Sequence, residues 1–456
     1  MKRLAAVLLT STLALALTAT AADARNGKKI YVRGEGSSAI DAVTDAEGTM
    51  VIPATVLRCV NCHDYDGRGN AEGGVKPSNL QWSELTKTYA IGSRTHPPYT
   101  PSTLKRAITM GIDPAGNELD RVMPRYRMSA RDADDLVAYL QTLGIVSDPG
   151  LSDDAIRIGV LLSPDRTRAA VVRDVVSGFF ESINRAGGLY GRRIDLCFTE
   201  LPAATTQRRD AAQTFLDTEQ PFALTASSLL GAEESLAPWL ESRELPTIAA
   251  FSGDAAEQRY LFRLLGSSAQ ELAALRAFAE NDVLEVQSTT PLDAMRNAKN
   301  VLLASNRLDE VLRAAATFPD PPRILVPSSF AGEALFSAPA ALDRRLVVAL
   351  PSAPSHLTAA GIRELQTLTP RADANPQTAA AALTAAKVLA EALRRAGRDL
   401  SREKLVETLE GFYNVPTALT PPISFGPLSR VGTRGAWLAE VDLHARALVN
   451  GRWQAP

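Results

Sequence analysis

Two cysteines and a histidine within five consecutive positions, Cys59-Val60-Asn61-Cys62-His63, constrain this chain more than any other feature. On a helix the two thiols stand one turn apart on the same side, with the imidazole next in line. A C-x-x-C-H run has three chemical uses: a zinc site, a dithiol redox pair, or covalent attachment of haem. Zinc needs a second pair of ligands at similar spacing. The chain offers three cysteines and four histidines in 456 residues, too few to supply one. A thioredoxin-like pair needs a preceding strand of a βαβ unit, and the pattern before Cys59 provides none. The reading left is one haem, bonded through Cys59 and Cys62, with His63 as an axial iron ligand.

The start of the chain fits that chemistry. Lys2 and Arg3 precede an apolar run from Leu4 to Leu17, and Ala22-Asp23-Ala24 is a small-x-small cleavage site. This predicts a secretory signal over residues 1–24, cleaved near Ala24, and a periplasmic protein. No later stretch approaches the ~18 apolar residues of a membrane span. Composition is that of a globular chain, 45% hydrophobic and 22% charged, with a formal net charge of −2. Nothing in this balance points to nucleic acid or an anionic membrane as partner, and neither is expected. The third cysteine, Cys197, lies in the strand-like RRIDLCFTEL and is expected as a buried free thiol. An intermolecular disulfide is the alternative.

A second axial ligand is needed. Met123 in RVMPRY precedes Pro124, which fixes the local backbone, and a capped helix follows at once. A Met/His pair gives the higher-potential haem of electron carriers. Met128, Met110 and His96 are the alternatives. Arg121, Arg125, Arg127 and Arg131 cluster nearby and are expected to form a solvated face interleaved with acidic residues. Residues 25–53 form a Gly- and Asp-rich leader with a strand signal at Lys29–Val32. Residues 54–146 form the haem domain and close on the helix SARDADDLVAYLQTLG, with Ser129 as N-cap. Residues 147–155 are a polar linker. From Ile156 to residue 456, short apolar strands alternate with helices, the pattern of parallel βαβ units. No nucleophile–base arrangement and no phosphate-cradling glycine loop occurs, so no enzyme activity is expected. His356 and His444 stand alone, as surface or turn residues.

Residues 54–146 resemble the class I c-type cytochromes through RCVNCHDYDGRG, GGVKPSNL, LKRAITMGIDPAGNELDRVMPRY and MSARDADDLVAYLQTL. The resemblance implies an all-α cytochrome c domain. It further implies that Pro77 offers its backbone carbonyl to the axial histidine, and that Tyr139 and Leu140 pack the last helix on the haem-motif helix. Residues 156–456 resemble the substrate-binding proteins of branched-chain amino-acid ABC transporters. SGFFESINRAGGLYGRRIDLCF carries the likeness best, followed by FALTASSLLGAEESLAPWLESRELPTIAAFS. This implies an α/β two-lobed type I periplasmic binding-protein fold with a small solute between the lobes. Ser227 and Ser228 then stand where ligand-contacting hydroxyls are found, with capping of the next helix as the alternative. Two features depart from the family. NDVLEVQSTTPLDAMRNAK leaves room for a second lobe shortened by about one βαβ crossover, and SPDRTRAA lacks small residues after the first strand. The fusion as a whole resembles accessory proteins of quinoprotein (pyrroloquinoline quinone) alcohol dehydrogenase systems. That implies a redox partner of this kind, with the second domain serving docking or solute sensing. The alternative is a solute-binding component of an ABC importer for amino acids or small organic acids.

Overall fold

The computed structural model describes residues 22–455 apart from 46, 72, 75, 92, 93, 254, 255, 281, 332 and 370–374. The first 21 residues of the expected signal therefore lie outside the described residues. The chain divides into two compact units between Val146 and Ser147.

The first unit runs α1 (Ala24–Arg33), β1 (Asp41–Val43), β2 (Val51–Pro53), α2 (Cys59–His63), α3 (Trp82–Leu85), β3 (Tyr89–Ile91), β4 (Arg94–His96), α4 (Pro101–Met110), β5 (Arg125–Arg127) and α5 (Ala130–Leu140). The expected strand at 29–32 is a helix. The Asp23 side chain caps it by accepting from the Arg25 amide at 2.9 Å, and Gly34 ends it with φ 70°. Ile30, Tyr31 and Val32 are all buried against α5 and its neighbours, so tertiary packing overrides their β preference. Gly27 lets the two helices touch: a Cβ there would lie 2.0 Å from the Asp135 carbonyl oxygen. The Tyr31 and Tyr139 rings meet with centroids 5.4 Å apart. The expected leader is thus part of this core, and Tyr139 packs on α1.

The all-α expectation also needs correction, because β2, β1 and β5 form an antiparallel sheet in that order. Residues 125–127 leave Pro124 in extended backbone and pair with β1, Val43 opposite Arg125 and Asp41 opposite Arg127. Ser129 caps α5 as expected, its hydroxyl accepting from the Asp132 amide at 3.0 Å. Asp132 in turn ties residues 26 and 37 to α5. Burial alone would raise its pKa, but bonds from the Ser37 amide and from the Ser129, Ser37 and Asn26 side chains pull it down to about 2.

The second unit begins with β6 (Ala155–Leu162), α6 (Arg166–Arg185), β7 (Arg193–Glu200), α7 (Thr205–Glu219), β8 (Ala223–Ser228), α8 (Glu233–Ser242), β9 (Thr247–Phe251) and β10 (Leu261–Arg263). These strands form a parallel sheet in the order β10-β9-β8-β6-β7. The order reverses between β6 and β8, which is the switch point where open α/β sheets bind ligands. The chain continues through α9 (Ser268–Phe278), β11 (Leu284–Val286), β12 (Asn300–Leu303), α10 (Leu308–Ala315), β13 (Arg323–Pro327) and β14 (Leu346–Leu350). It then returns to the first lobe with α11 (Ala359–Leu368), α12 (Pro376–Ala396) and α13 (Arg402–Glu410), and finishes in the second with β15 (Ala436–Asp442) and β16 (Ala447–Gln454).

The second sheet runs β11-β12-β13-β14-β15-β16, the first four strands parallel and the last two antiparallel. The expected shortening sits between β11 and β12, where the connection carries only the 3₁₀ helix Leu292–Asn297. Strand order follows sequence order here, so this sheet has no switch point. ISFG, expected as a strand, makes only isolated bridges, Ile423 with Val415 and Gly426 with Ser429. The helix expected from Leu229 begins at Glu233. Small side chains let α12 sit deep against α6, and its alanines from 379 to 396 are nearly all buried.

Gly27→Ala should force α1 away from α5 and destabilise the first unit by about 1–3 kcal/mol. Thermal unfolding followed at the first unit's own transition checks this; an unchanged midpoint would mean the two helices do not pack as described.

Candidate functional site

The five residues of α2 place Cys59 and Cys62 one turn apart, with His63 closing the helix. His63 is 7% exposed, Cys59 is half-buried and Cys62 is exposed. The carbonyls at the end of this short helix are satisfied by the loop that follows. Gly69 N donates to the His63 carbonyl at 3.0 Å and Asn70 N to that of Cys62 at 3.2 Å. The loop then brings the Ser78 carbonyl to 2.9 Å from His63 Nδ1. This corrects the expectation for Pro77. Its own carbonyl is turned toward Gly69, where a Cβ would lie 3.1 Å from it. The rigid proline presents the next residue's oxygen instead. A proton on Nδ1 shared with that oxygen leaves the Nε2 lone pair free, the form that ligates a metal. Burial holds the imidazole below its ordinary pKa against the opposing pull of the Ser78 carbonyl, which keeps the ring neutral. Burial also pushes the Cys59 thiol up to about 12.

Met123 is half-buried and packs against the same apolar cluster as Cys59, Leu57, Leu80 and Trp82. Its turn is held on both sides. The Met123 amide donates to the Asp120 carbonyl at 3.2 Å, and the Arg125 guanidinium donates to the carbonyls of Leu119, Asp120 and Met123. Among the rivals, Met110 ends α4 at 65% exposure, outside this core. Met128 packs on the cluster. His96 is buried, with Nδ1 2.8 Å from the Pro97 carbonyl, its ring stacked on Tyr89 and edge-on to Tyr99. Of the four arginines expected as a solvated face, Arg121 lies 2.6 Å from Glu118 and Arg131 3.9 Å from Asp135, whereas Arg125 and Arg127 donate to backbone carbonyls.

In the second unit the expected hydroxyls part ways. β8 pairs with β6 at Ala223 and Leu224 and then leaves register, with Ala226 at φ 48° in the left-handed region. Ser227 repairs the ladder. Its hydroxyl accepts from the Leu161 amide at 3.1 Å and donates to the Thr225 carbonyl at 3.2 Å, and the residue is fully buried. Ser227 is therefore a sheet element and not a ligand contact. Ser228 does face the switch point, beside Arg168, Leu230 and Phe251, but the crevice there is only about 10 Å³. That holds at most one water. The α6 N-terminal amides, an anion site in many folds, are taken by the Asp165 carboxylate at 2.9 and 3.1 Å.

Cys197 is free and half-buried on edge strand β7, its thiol 3.6 Å from the Ile158 carbonyl. His444 lies exposed in the turn between β15 and β16, 3.4 Å from Asp343. Among the described residues no helix is long and apolar enough to cross a membrane.

Ser227→Ala leaves the Leu161 amide buried without a partner. We expect a loss of about 1–3 kcal/mol in the second unit's stability, equal with and without added amino acids. A melting-point loss that vanished when a solute was added would return Ser227 to the ligand site.

Comparison with known proteins divides the chain at the same place. The cytochrome c family model matches residues 46–144. No curated protein matches the chain. Solved structures match the second part at low identity. A fatty acid ABC transporter substrate-binding protein from Thermomonospora curvata is 17% identical, with TM-score 0.51, over 69% of this chain and 95% of that one. A putative branched-chain amino acid ABC transporter from Rhodospirillum rubrum is 14% identical, with TM-score 0.50, over 66% and 100%. A branched chain amino acid ABC transporter protein from Thermus thermophilus with bound valine is 16% identical, with TM-score 0.50, over 66% and 97%. Identities of this size establish the fold alone. The chain thus fuses a cytochrome c domain to a unit with the type I periplasmic binding-protein fold.

Proposed function

We propose that the protein is an exported, periplasmic electron carrier and not an enzyme, holding one haem c through Cys59 and Cys62 between His63 and Met123. The single observation that carries this is the Ser78 carbonyl 2.9 Å from His63 Nδ1, which leaves Nε2 free beside two cysteines on one helical turn. These residues fit the group: two thiols to bond it, a neutral imidazole, and an apolar wall from Leu57, Leu80, Trp82 and Met123. Bound there, haem iron supplies a one-electron couple, raised in potential by a Met/His ligand pair. The chain's own residues would orient the imidazole through Ser78 and hold the Met123 turn through Arg125.

A redox partner follows from electron transfer, and we assign a quinoprotein alcohol dehydrogenase that hands its electrons to the haem. The likeness of the fusion to accessory proteins of such systems supports this. The second unit then serves docking or solute sensing. The importer alternative finds less support, because the switch-point crevice has no room for an amino acid.

The purified, reduced protein should show a c-type spectrum whose pigment resists acid acetone. Met123→Ala should abolish the sulfur-to-iron band and lower the reduction potential, whereas Met128→Ala and His96→Ala should keep both. Colourless protein matured with the attachment machinery, or a band that follows Met128 or His96, would overturn the assignment. Reduced dehydrogenase mixed with oxidised protein should bring up the reduced haem spectrum; no reduction by any quinoprotein tried would remove the partner.

Export should also cut earlier than Ala24. Asp23 caps α1, and its amide donates to the Asp135 carboxylate at 2.7 Å. N-terminal sequencing of the secreted protein should begin at Ala22 or Asp23; a start at Arg25 would show that α1 forms without this cap.

A further inference from the structure

A candidate site in the second unit lies away from the switch point. A cavity of about 690 Å³ opens between the turn after β14, residues 421–434 and the pair β15–β16. One wall is aromatic. Trp437 and Trp453 stand directly opposite each other across the antiparallel pair, so their side chains share a face. Gly451 is on that face too, two residues before Trp453, and it gives the Trp437 indole its place. A Cβ at 451 would lie 1.9 Å from that ring. Trp453 is set by a bond from its indole N–H to the Arg434 carbonyl at 3.2 Å.

The polar side is spare in hydrogen-bonding terms. His356 meets the Trp453 ring edge-on, centroids 6.0 Å apart. Its Nδ1 accepts from the Ala353 amide at 3.0 Å and sits 3.2 Å from the Ser352 hydroxyl. An acceptor at Nδ1 places the ring proton on Nε2, which no described residue accepts. Burial lowers the pKa of this ring, consistent with a neutral donor. Arg434 is exposed and makes no ion pair among the described residues. Arg452 also borders the cavity, but its guanidinium is engaged over the Phe278 ring at 5.0 Å. Among the described residues no carboxylate lines the cavity.

The Arg434 guanidinium and the lack of an acid among the lining residues disfavour a cation, and two indoles favour a flat apolar body. One guanidinium and one N–H donor among the lining residues match a single negative charge. We propose that this cavity binds a planar aromatic carboxylate, its ring against Trp437 and Trp453 and its carboxylate between His356 Nε2 and Arg434. The site gives chemical content to the solute-sensing part of the reading above and rests on it.

Calorimetry on the haem-loaded full chain tests this with benzoate, cyclohexanecarboxylate and benzyl alcohol. Benzoate should bind saturably, with the ring-saturated acid and the neutral alcohol each about tenfold weaker or more. Arg434→Gln, an exposed change that spares the fold, should weaken benzoate by about tenfold, and Trp453→Leu similarly, while Arg452→Gln keeps the affinity. No benzoate heat up to roughly 10 mM, equal binding of cyclohexanecarboxylate, or an unchanged affinity in Arg434→Gln would overturn the site. A chain that bound leucine but not benzoate would sink this cavity and leave solute sensing standing.

Discussion

The bond between the Ser78 carbonyl and His63 Nδ1 decides which nitrogen of the imidazole is free, and the first unit is built to deliver that one oxygen. A five-residue helix cannot hold a ring by its own packing. The loop after it does so, and it is pinned from two sides. Tyr31 of α1 reaches in with a hydroxyl bond to the Asp64 carbonyl at 2.7 Å. Leu143, just past α5, closes over Gly67, where a Cβ would lie 2.5 Å from it, and Gly67 adopts φ 77° to allow this. The Gly67 carbonyl then accepts from the Leu80 amide at 2.7 Å. The α1–α5 contact is therefore not remote from His63. It sets the loop that sets the ring.

In the second unit the corresponding decision is made by a bulge. Leaving register after Leu224 costs β8 a ladder bond, and the left-handed Ala226 adds local strain. The Ser227 hydroxyl restores the bond to Leu161. With Asp165 on the α6 amides and Arg168 in the crevice, the switch point is filled by the protein's own groups. Among the described residues, an open volume with unused donors lies instead beside β15 and β16, the antiparallel pair that finishes the second sheet.

Much of this was legible in the residues. The C-x-x-C-H run, the Ser129 cap and the alternation of strands with helices from β6 onward depend on local chemistry that sequence displays directly. What it hid was long-range. The run Ile30-Tyr31-Val32 reads as a strand, and its packing on α5, which Gly27 permits against Asp135, 108 residues away in sequence, favours the helix. β5 is three residues long and exists because β1 offers an edge. Pro77 was one residue from the oxygen that matters, because sequence cannot say which carbonyl a rigid turn presents. Trp437 and Trp453 carried no signal apart; only the register of β15 with β16 brings them together.

A common accounting separates the residues that serve a site from those that only look suited to one. A buried polar side chain is available to a ligand only when no stranded backbone group competes for it. Ser227 fails that test, since its hydroxyl already serves the Leu161 amide and the Thr225 carbonyl. His63 passes: one ring nitrogen is engaged by Ser78, and the engagement is what frees the other. His356 passes in the mirror sense, its Nδ1 filled by the Ala353 amide so that Nε2 must carry a proton outward. The two histidines therefore emerge as opposite tautomers, one offering a lone pair and the other a proton. A lone pair suits a metal and a proton suits an anion, and the backbone atom each ring meets first is what chooses between them.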